Sequence, residues 1–318
     1  LMPQLSAAQL FEDNREKLRL EWVAGRAGGM HKLAPERVSS SSEGLIGHLN
    51  LIHPNWIQVL GRAEVAYLEG LPAAGREKAL AELSATDLFC LIVTGGAAVP
   101  PPLHALAESN DTPLFASPLQ SVHLMWLVRY YLARALAEST ALHGVFLDVL
   151  GMGVLITGES GVGKSELGLE LISRGSGLVA DDVVELYRTA PETLEGRCPQ
   201  LLKDFLEVRG LGVLDIRTIF GETSVRPRMN LKLIVHLEKP AGPDAVRLER
   251  LPLAARSQTV LGVVVRKVSI PVAAGRNLAV LVEAAVRNYV LQLRGIDSTR
   301  EFVARHERHM RAGQTEQD

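Results

Sequence analysis

Short apolar runs alternate with amphipathic stretches along the whole of the 318-residue chain. In the first half, Ala7, Leu10, Phe11 and Leu18 fall roughly on one face of a helix, and Ser6 followed by Gln9 resembles the capping box that begins one. Residues 18–23 then read as a strand. A polar loop is expected at 39–43, leading to the apolar segment 45–51, and 56–60 and 89–94 read as short strands ended by glycines. A helix is predicted around 75–82, another over 102–108, a strand over 112–116, and a long helix over 118–138 with Pro118 at its start. This alternation predicts a small N-terminal α/β domain, residues 1–138, with a partly parallel sheet.

The second half, residues 139–318, repeats the alternation with different contents. The apolar run Val154-Leu155-Ile156-Thr157 leads through a glycine-rich stretch into an amphipathic segment at 166–174, which Gly175 can close in a left-handed cap. Leu178-Val179-Ala180 reads as a buried strand delivering Asp181 and Asp182 at its end. On a pleated strand these adjacent carboxylates face opposite sides. Residues 230–238 and 261–272 are β-branched and apolar, and Leu278, Leu281, Val282, Ala285, Tyr289 and Leu293 form a helical stripe. The end, 305–318, is polar and expected to fray.

Between strand and helix stands Gly158-Glu159-Ser160-Gly161-Val162-Gly163-Lys164-Ser165. Its three glycines permit φ values closed to most residues, so successive N–H groups can point inward at phosphate oxygens beside the positive helix end. Lys164 then reaches the β/γ oxygens, and Ser165 offers a hydroxyl where a Mg²⁺ bridging those phosphates needs one. Nucleotide binding is expected. The fate of the γ-phosphate is left open by the loop alone, because the same cradle serves switches, pumps and kinases.

Composition narrows the setting. Lys plus Arg is 34 against Asp plus Glu 36, a net charge of -2, so there is no global attraction to nucleic acid or an anionic membrane. Cys90 and Cys198 are the 2 cysteines and lack C-x-x-C spacing, which excludes a disulfide framework or structural zinc site. His31, His48, His53, His104 and His123 are scattered without ligand spacing, and Trp126, Tyr130 and Tyr131 at helical spacing read as core or interface. No basic-then-apolar leader opens the chain, and the longest apolar stretch, 124–136, carries Arg129 and Arg134, so a cytoplasmic protein without membrane or nucleic-acid partners is expected.

A second unusual string is Leu206-Glu207-Val208-Arg209-Gly210-Leu211-Gly212-Val213-Leu214-Asp215, in which charged and apolar residues alternate and two glycines allow close backbone approach. With the cradle, Val179-Ala180-Asp181-Asp182, Pro271-Val272 and Gly275-Arg276-Asn277, it resembles the ordered motifs of the bacterial HPr kinase/phosphorylase family. The resemblance is dense in the second half; the first half is similar in size and α/β character. It implies an enzyme that uses ATP and Mg²⁺ to phosphorylate a serine of HPr, the phosphocarrier protein of the sugar phosphotransferase system. It also implies the removal of that phosphate by inorganic phosphate as pyrophosphate, a homohexamer, and a C-terminal P-loop kinase domain resembling phosphoenolpyruvate carboxykinase.

By that resemblance, His143 is the catalytic histidine partnering the aspartate, and Lys164 and Ser165 are the phosphate-binding lysine and a Mg²⁺ ligand. Asp182 is the proton-transferring carboxylate with Asp181 beside it, and Glu207 is the second Mg²⁺ ligand, within the signature stretch 206–215 that the family uses for both reactions. Arg250 is the catalytic arginine, and Pro271-Val272-Ala273-Ala274-Gly275-Arg276 the segment needed for dephosphorylation. Two departures bear on the reverse reaction: Leu251-Pro252-Leu253 in place of a Leu-Gly-Leu type run, and Ala273-Ala274 in place of Arg-Pro. The competing readings are a P-loop ATPase switch and a small-metabolite kinase. Against the first, the chain has neither an Asn-Lys-x-Asp run nor a Leu-Ser-Gly-Gly-Gln signature.

Overall fold

A computed structural model of the chain describes residues 4–34, 44–239, 256–273 and 275–315. The chain divides into two compact units, Leu1–Glu138 and Ser139–Asp318.

The first unit opens with β1 (Leu5–Ser6), α1 (Ala7–Asn14), β2 (Glu21–Ala24), β3 (Lys32–Leu33), β4 (Gly44–His48) and β5 (Asn55–Leu60). It continues with α2 (Arg62–Gly70), α3 (Ala73–Ser84), β6 (Cys90–Val93), α4 (Pro101–Ser109), β7 (Leu114–Ala116) and α5 (Ser121–Ala135). A five-stranded sheet has the order β2-β7-β6-β5-β4, parallel except where β2 joins β7. One core packs α1 and α5 through Leu10, Phe11, Leu124, Val128 and Leu132; another packs α2, α3 and α4 through Val65, Leu68, Leu83, Leu103 and Leu106.

Local chemistry explains where these elements begin. Ser6 caps α1, its hydroxyl accepting from Gln9 N at 3.1 Å. The strand expected from residue 18 starts only at Glu21, because the Leu18 and Leu20 amides bond back to the Asn14 and Arg15 carbonyls and Arg19 turns at φ +52°. The long helix starts at Ser121, not Pro118. Helix α2 was not expected: it buries only Val65 and Leu68, too little for a visible period, and starts where Glu64 accepts from Gly61 N at 2.8 Å. The polar loop expected at 39–43 lies outside the described residues.

The second unit contains β8 (Glu138–His143), β9 (Val145–Val149), β10 (Met152–Gly158), α6 (Lys164–Ser173), β11 (Gly177–Ala180), β12 (Val183–Ala190) and β13 (Thr193–Arg197). Then come β14 (Phe205–Val208), β15 (Gly212–Asp215), α7 (Ile216–Phe220), β16 (Met229–Glu238), β17 (Arg256–Val260), β18 (Val263–Pro271), α8 (Leu278–Leu293) and α9 (Ser298–Thr315). A nine-stranded mixed sheet runs β11-β9-β10-β16-β13-β12-β8, with β18 joined to β16 and β17 to β18. Its strand β10 is parallel to β16, and β16 to β18. Helices α6 and α8 cover it through Leu167, Leu171, Ile172, Val282 and Val286.

Three outcomes differ from expectation here. The apolar stretch expected at 261–272 is strand β18 from Val263, preceded by β17 and a turn in which Leu261 and Gly262 take φ +47° and +76°. Strands β8, β9, β12 and β13 were not expected; Glu185 and Arg188 interrupt β12, and Glu195 and Arg197 interrupt β13. The polar tail is helical through Thr315 instead of frayed: Asp297 Oδ1 accepts from Thr299 N and Arg300 N at 3.1 and 3.2 Å, and Glu301 pairs with Arg305 one turn on. Among the described residues no helix is long and apolar enough to cross a membrane.

Candidate active site

The site is built where β10 feeds α6. Gly158, Gly161 and Gly163 take φ values of +149°, +74° and +97°, a succession that only glycines adopt without strain. A methyl group on Gly158 would also lie 2.8 Å from the Leu237 carbonyl oxygen of the neighbouring strand. Lys164 Nζ folds back to donate to the Gly158 and Glu159 carbonyls at 3.1 and 3.0 Å, closing the loop. Gly163 offers α6 no side-chain cap, so the first amides of the helix keep their capacity for an anion.

Strand β11 brings in the acidic pair differently from the pleat expected. It ends at Ala180, and Asp182 turns at φ +63°, so a turn, not a strand, separates the two carboxylates. Asp181 is buried; its carboxylate accepts from Glu207 N at 2.9 Å and from Ser165 Oγ at 3.4 Å. Burial pushes its carboxyl up from the usual range, and the Glu207 amide partly opposes this. Asp182 is exposed, with its Oδ1 3.6 Å from His143 Nδ1 and its backbone carbonyl accepting from Gly144 N at 3.1 Å.

The string at 206–215 is a hairpin of β14 and β15. Leu206 and Val208 face the core, Glu207 pairs across with Val213 on the outer face, and Gly210 and Gly212 make the turn at φ +87° and +90°. Asp215 has a local role: it caps α7, accepting from Thr218 N at 3.0 Å, and the Thr218 hydrogen bonds hold its carboxyl below the usual range.

These elements enclose a cleft of about 200 Å³ lined by Ser160, Gly161, Gly163, Lys164, Ser165, Asp181, Asp182, Glu207 and Arg209, together with Gly144 and Glu166. Pro271, Val272, Ala273, Gly275 and Arg276 are not among the lining residues. Val272 N bonds Glu238 O at 2.9 Å, and Asn277 caps α8. Ala274, Arg250 and the run Leu251-Pro252-Leu253 lie outside the described residues.

The larger cleft, about 590 Å³ in the first unit and lined by His31, Lys32, Asp87 and Asn110 among others, holds neither a glycine loop nor a carboxylate pair. Its size therefore does not make it the candidate for chemistry. Sequence reasoning missed Glu166, the 3.0 Å ion pair of Lys239 with Glu159, and the 2.9 Å contact of Thr157 Oγ1 with His236 Nδ1 beside the loop. Only the parallel register of β10 with β16 brings Thr157 opposite His236.

The donors available to a metal are hydroxyl and carboxylate oxygens, which suit Mg²⁺. No group of three or more His, Cys, Asp or Glu among the described residues forms a metal cage. Mg²⁺ does not need one, being held by one or two carboxylates plus substrate phosphates.

The fold and site define a two-domain α/β protein whose C-terminal unit ends a central strand in a glycine-rich anion cradle beside two aspartates. The family model "HPr Serine kinase C-terminal domain" matches residues 134–306, and "HPr Serine kinase N terminus" matches residues 5–132. The HPr kinase/phosphorylase of Nitrosomonas europaea is 59% identical over 314 residues, 99% of this chain and 97% of that protein. That of Chromobacterium violaceum is 57% identical over 310 residues, 98% and 97% of the two chains. The solved structure of the Hpr(Ser) kinase/phosphatase from Coxiella burnetii is 39% identical, covers 51% of this chain and 98% of its own, and superposes with a TM-score of 0.46. The chain belongs to the HPr kinase/phosphorylase family of enzymes.

Proposed function

We propose that the enzyme transfers the γ-phosphoryl group of ATP to a serine of HPr, and in the reverse direction passes that phosphoryl group to inorganic phosphate as pyrophosphate. The observation that carries this reading is the convergence of Lys164, Ser165, Asp181, Asp182 and Glu207 on one cleft, with His143 against Asp182. The loop amides and Lys164 hold the β/γ oxygens, for which Lys164 gives up its bonds to the loop carbonyls. Ser165 and Glu207 would hold Mg²⁺, with Asp181 fixing the Ser165 hydroxyl; the ion supplies charge stabilisation on the transferring group.

In the forward direction Asp182 takes the proton of the incoming serine hydroxyl as the O–P bond forms and the β–γ bridging bond breaks. In reverse, protonated Asp182 returns that proton to the serine oxygen while the phosphoryl group moves to inorganic phosphate. His143 orients and tunes Asp182 in both. Arg250, by family resemblance, adds cationic stabilisation, and 271–276 serves the reverse step. The first unit is regulatory or assembles the chain into a cytoplasmic homohexamer, and the second is a P-loop kinase domain of the phosphoenolpyruvate carboxykinase type.

The test is incubation with γ-labelled ATP, offering HPr and, separately, small sugar and nucleotide acceptors. Label on a serine of HPr is expected. Label confined to a small acceptor, or released only as free phosphate, sinks the reading in favour of a metabolite kinase or an ATPase switch.

A further inference from the structure

Among the described residues that line the cleft, positive charge comes from Lys164 and Arg209, while Glu166, Asp181, Asp182 and Glu207 carry negative charge. Lys164 already donates to two carbonyls of its own loop. Arg209 differs: it makes no hydrogen bond or ion pair to any described residue, although it stands just past β14, on the hairpin that supplies Glu207. Its guanidinium lies over the cradle. A methyl group on Gly161 would sit 3.5 Å from Arg209 Nη1 and 3.7 Å from Nη2.

Arg209 is exposed, and its guanidinium lies toward the loop. A planar fork of donors is thereby aimed at the loop where phosphate oxygens are expected. We propose that Arg209 is a phosphate clamp: its guanidinium grips non-bridging oxygens of the outermost phosphate of a bound nucleoside triphosphate, and of inorganic phosphate in the reverse direction. This rests on the nucleotide reading of the cleft. The positions of Gly210 and Gly212 on either side of Leu211 let the hairpin tip carry the clamp against the loop, since both take left-handed φ values. Arg209 is thus separate in role from Glu207: one side chain faces phosphate oxygens, the other a cation.

The clamp makes a prediction that activity alone does not. Removing it weakens the ligand that has a third phosphate and spares the one that lacks it. Binding of ATP and of ADP, each with Mg²⁺, is measured by titration calorimetry without HPr for the full chain and for Arg209→Ala and Arg209→Lys. Thermal melts of each variant accompany the titrations. Loss of charge-assisted hydrogen bonds predicts ATP binding weaker by roughly tenfold or more in Arg209→Ala, with ADP changed by less than about threefold. Arg209→Lys, which keeps the charge and loses the fork, falls between. An equal loss for ATP and ADP, or no loss for either, overturns the clamp while leaving nucleotide binding intact. Failure of the unaltered chain to bind either nucleotide overturns the nucleotide reading itself, and the clamp with it.

Discussion

His143 Nδ1 stands 3.6 Å from Asp182 Oδ1 and 3.2 Å from the Asp182 carbonyl oxygen. The end of β8 thereby grips a residue that turns left-handed at φ +63° immediately after a buried strand. Non-glycine residues in that region persist where surroundings hold them, and they concentrate at functional sites. Asparagine tolerates the same conformation and keeps the shape but cannot take a proton. Asp182→Asn is therefore expected to fold normally and to lower both kinase and phosphorolysis rates by roughly 10²–10⁴-fold, the range of general acid–base catalysis. His143→Ala, which loses the contact that orients Asp182, should lose less in both directions. Rates for both variants across pH check this; retention of either reaction by Asp182→Asn contradicts it.

Asp181 gives a pH prediction independent of turnover. Its carboxyl is raised by burial, so the folded chain holds the proton more tightly than the unfolded one. That contribution is fully present below the ordinary aspartate value of about 3.9 and is lost as pH rises through the raised value. An amide at this position carries no such cost. The melting temperature of Asp181→Asn relative to the unaltered chain should therefore climb as pH rises from about 4 towards 7, with EDTA present. A difference that stays constant over this range would show that Asp181 is not displaced by burial.

Arg276 tests direction. It follows Gly275, which takes φ +78°, and precedes the Asn277 cap of α8, outside the residues lining the cleft. By family resemblance its segment serves dephosphorylation. Arg276→Ala should chiefly lower pyrophosphate formation from phosphoseryl-HPr and leave transfer from ATP near normal. Equal loss in the two assays would show the segment is not direction-specific.

Gly196 tests the packing that holds the sheet together. A methyl group there would lie 2.3 Å from Cε1 of the fully buried Phe146, a ring with no room to retreat. Gly196→Ala should cost about 1–3 kcal/mol by overpacking, read as a lower urea midpoint with an unchanged slope. An unchanged midpoint would mean that strand β13 shifts freely against β9.

What could be read in advance follows from how local each cause is. The cradle is contiguous, and its glycines announce φ values that the chain then takes at Gly158, Gly161 and Gly163. Ser6 before Gln9 and the stripe from Leu278 are equally local, and both mark helices of the structure. Asp181 and Asp182 were visible as a pair at the end of a strand, which does end at Ala180, yet their division into a buried and an exposed carboxylate depends on the left-handed turn at Asp182, which no apolar pattern marks. The contact of Thr157 with His236 depends on β10 lying parallel to β16, across 79 positions of sequence. Strands β12 and β13 hide because Glu185 and Glu195 sit among their apolar residues, satisfied by Tyr187 and Arg197 at 2.9 and 2.7 Å. Those partners lie only two residues away, but the alternation that would mark a strand is broken by the charges themselves.

The most direct measurement is release of pyrophosphate from phosphoseryl-HPr on addition of inorganic phosphate, with Lys164→Ala alongside. The unaltered enzyme should form pyrophosphate in step with loss of phosphate from the serine, and Lys164→Ala should do neither. Dephosphorylation that yields only free phosphate, or that survives in Lys164→Ala, would contradict a single cleft working in both directions.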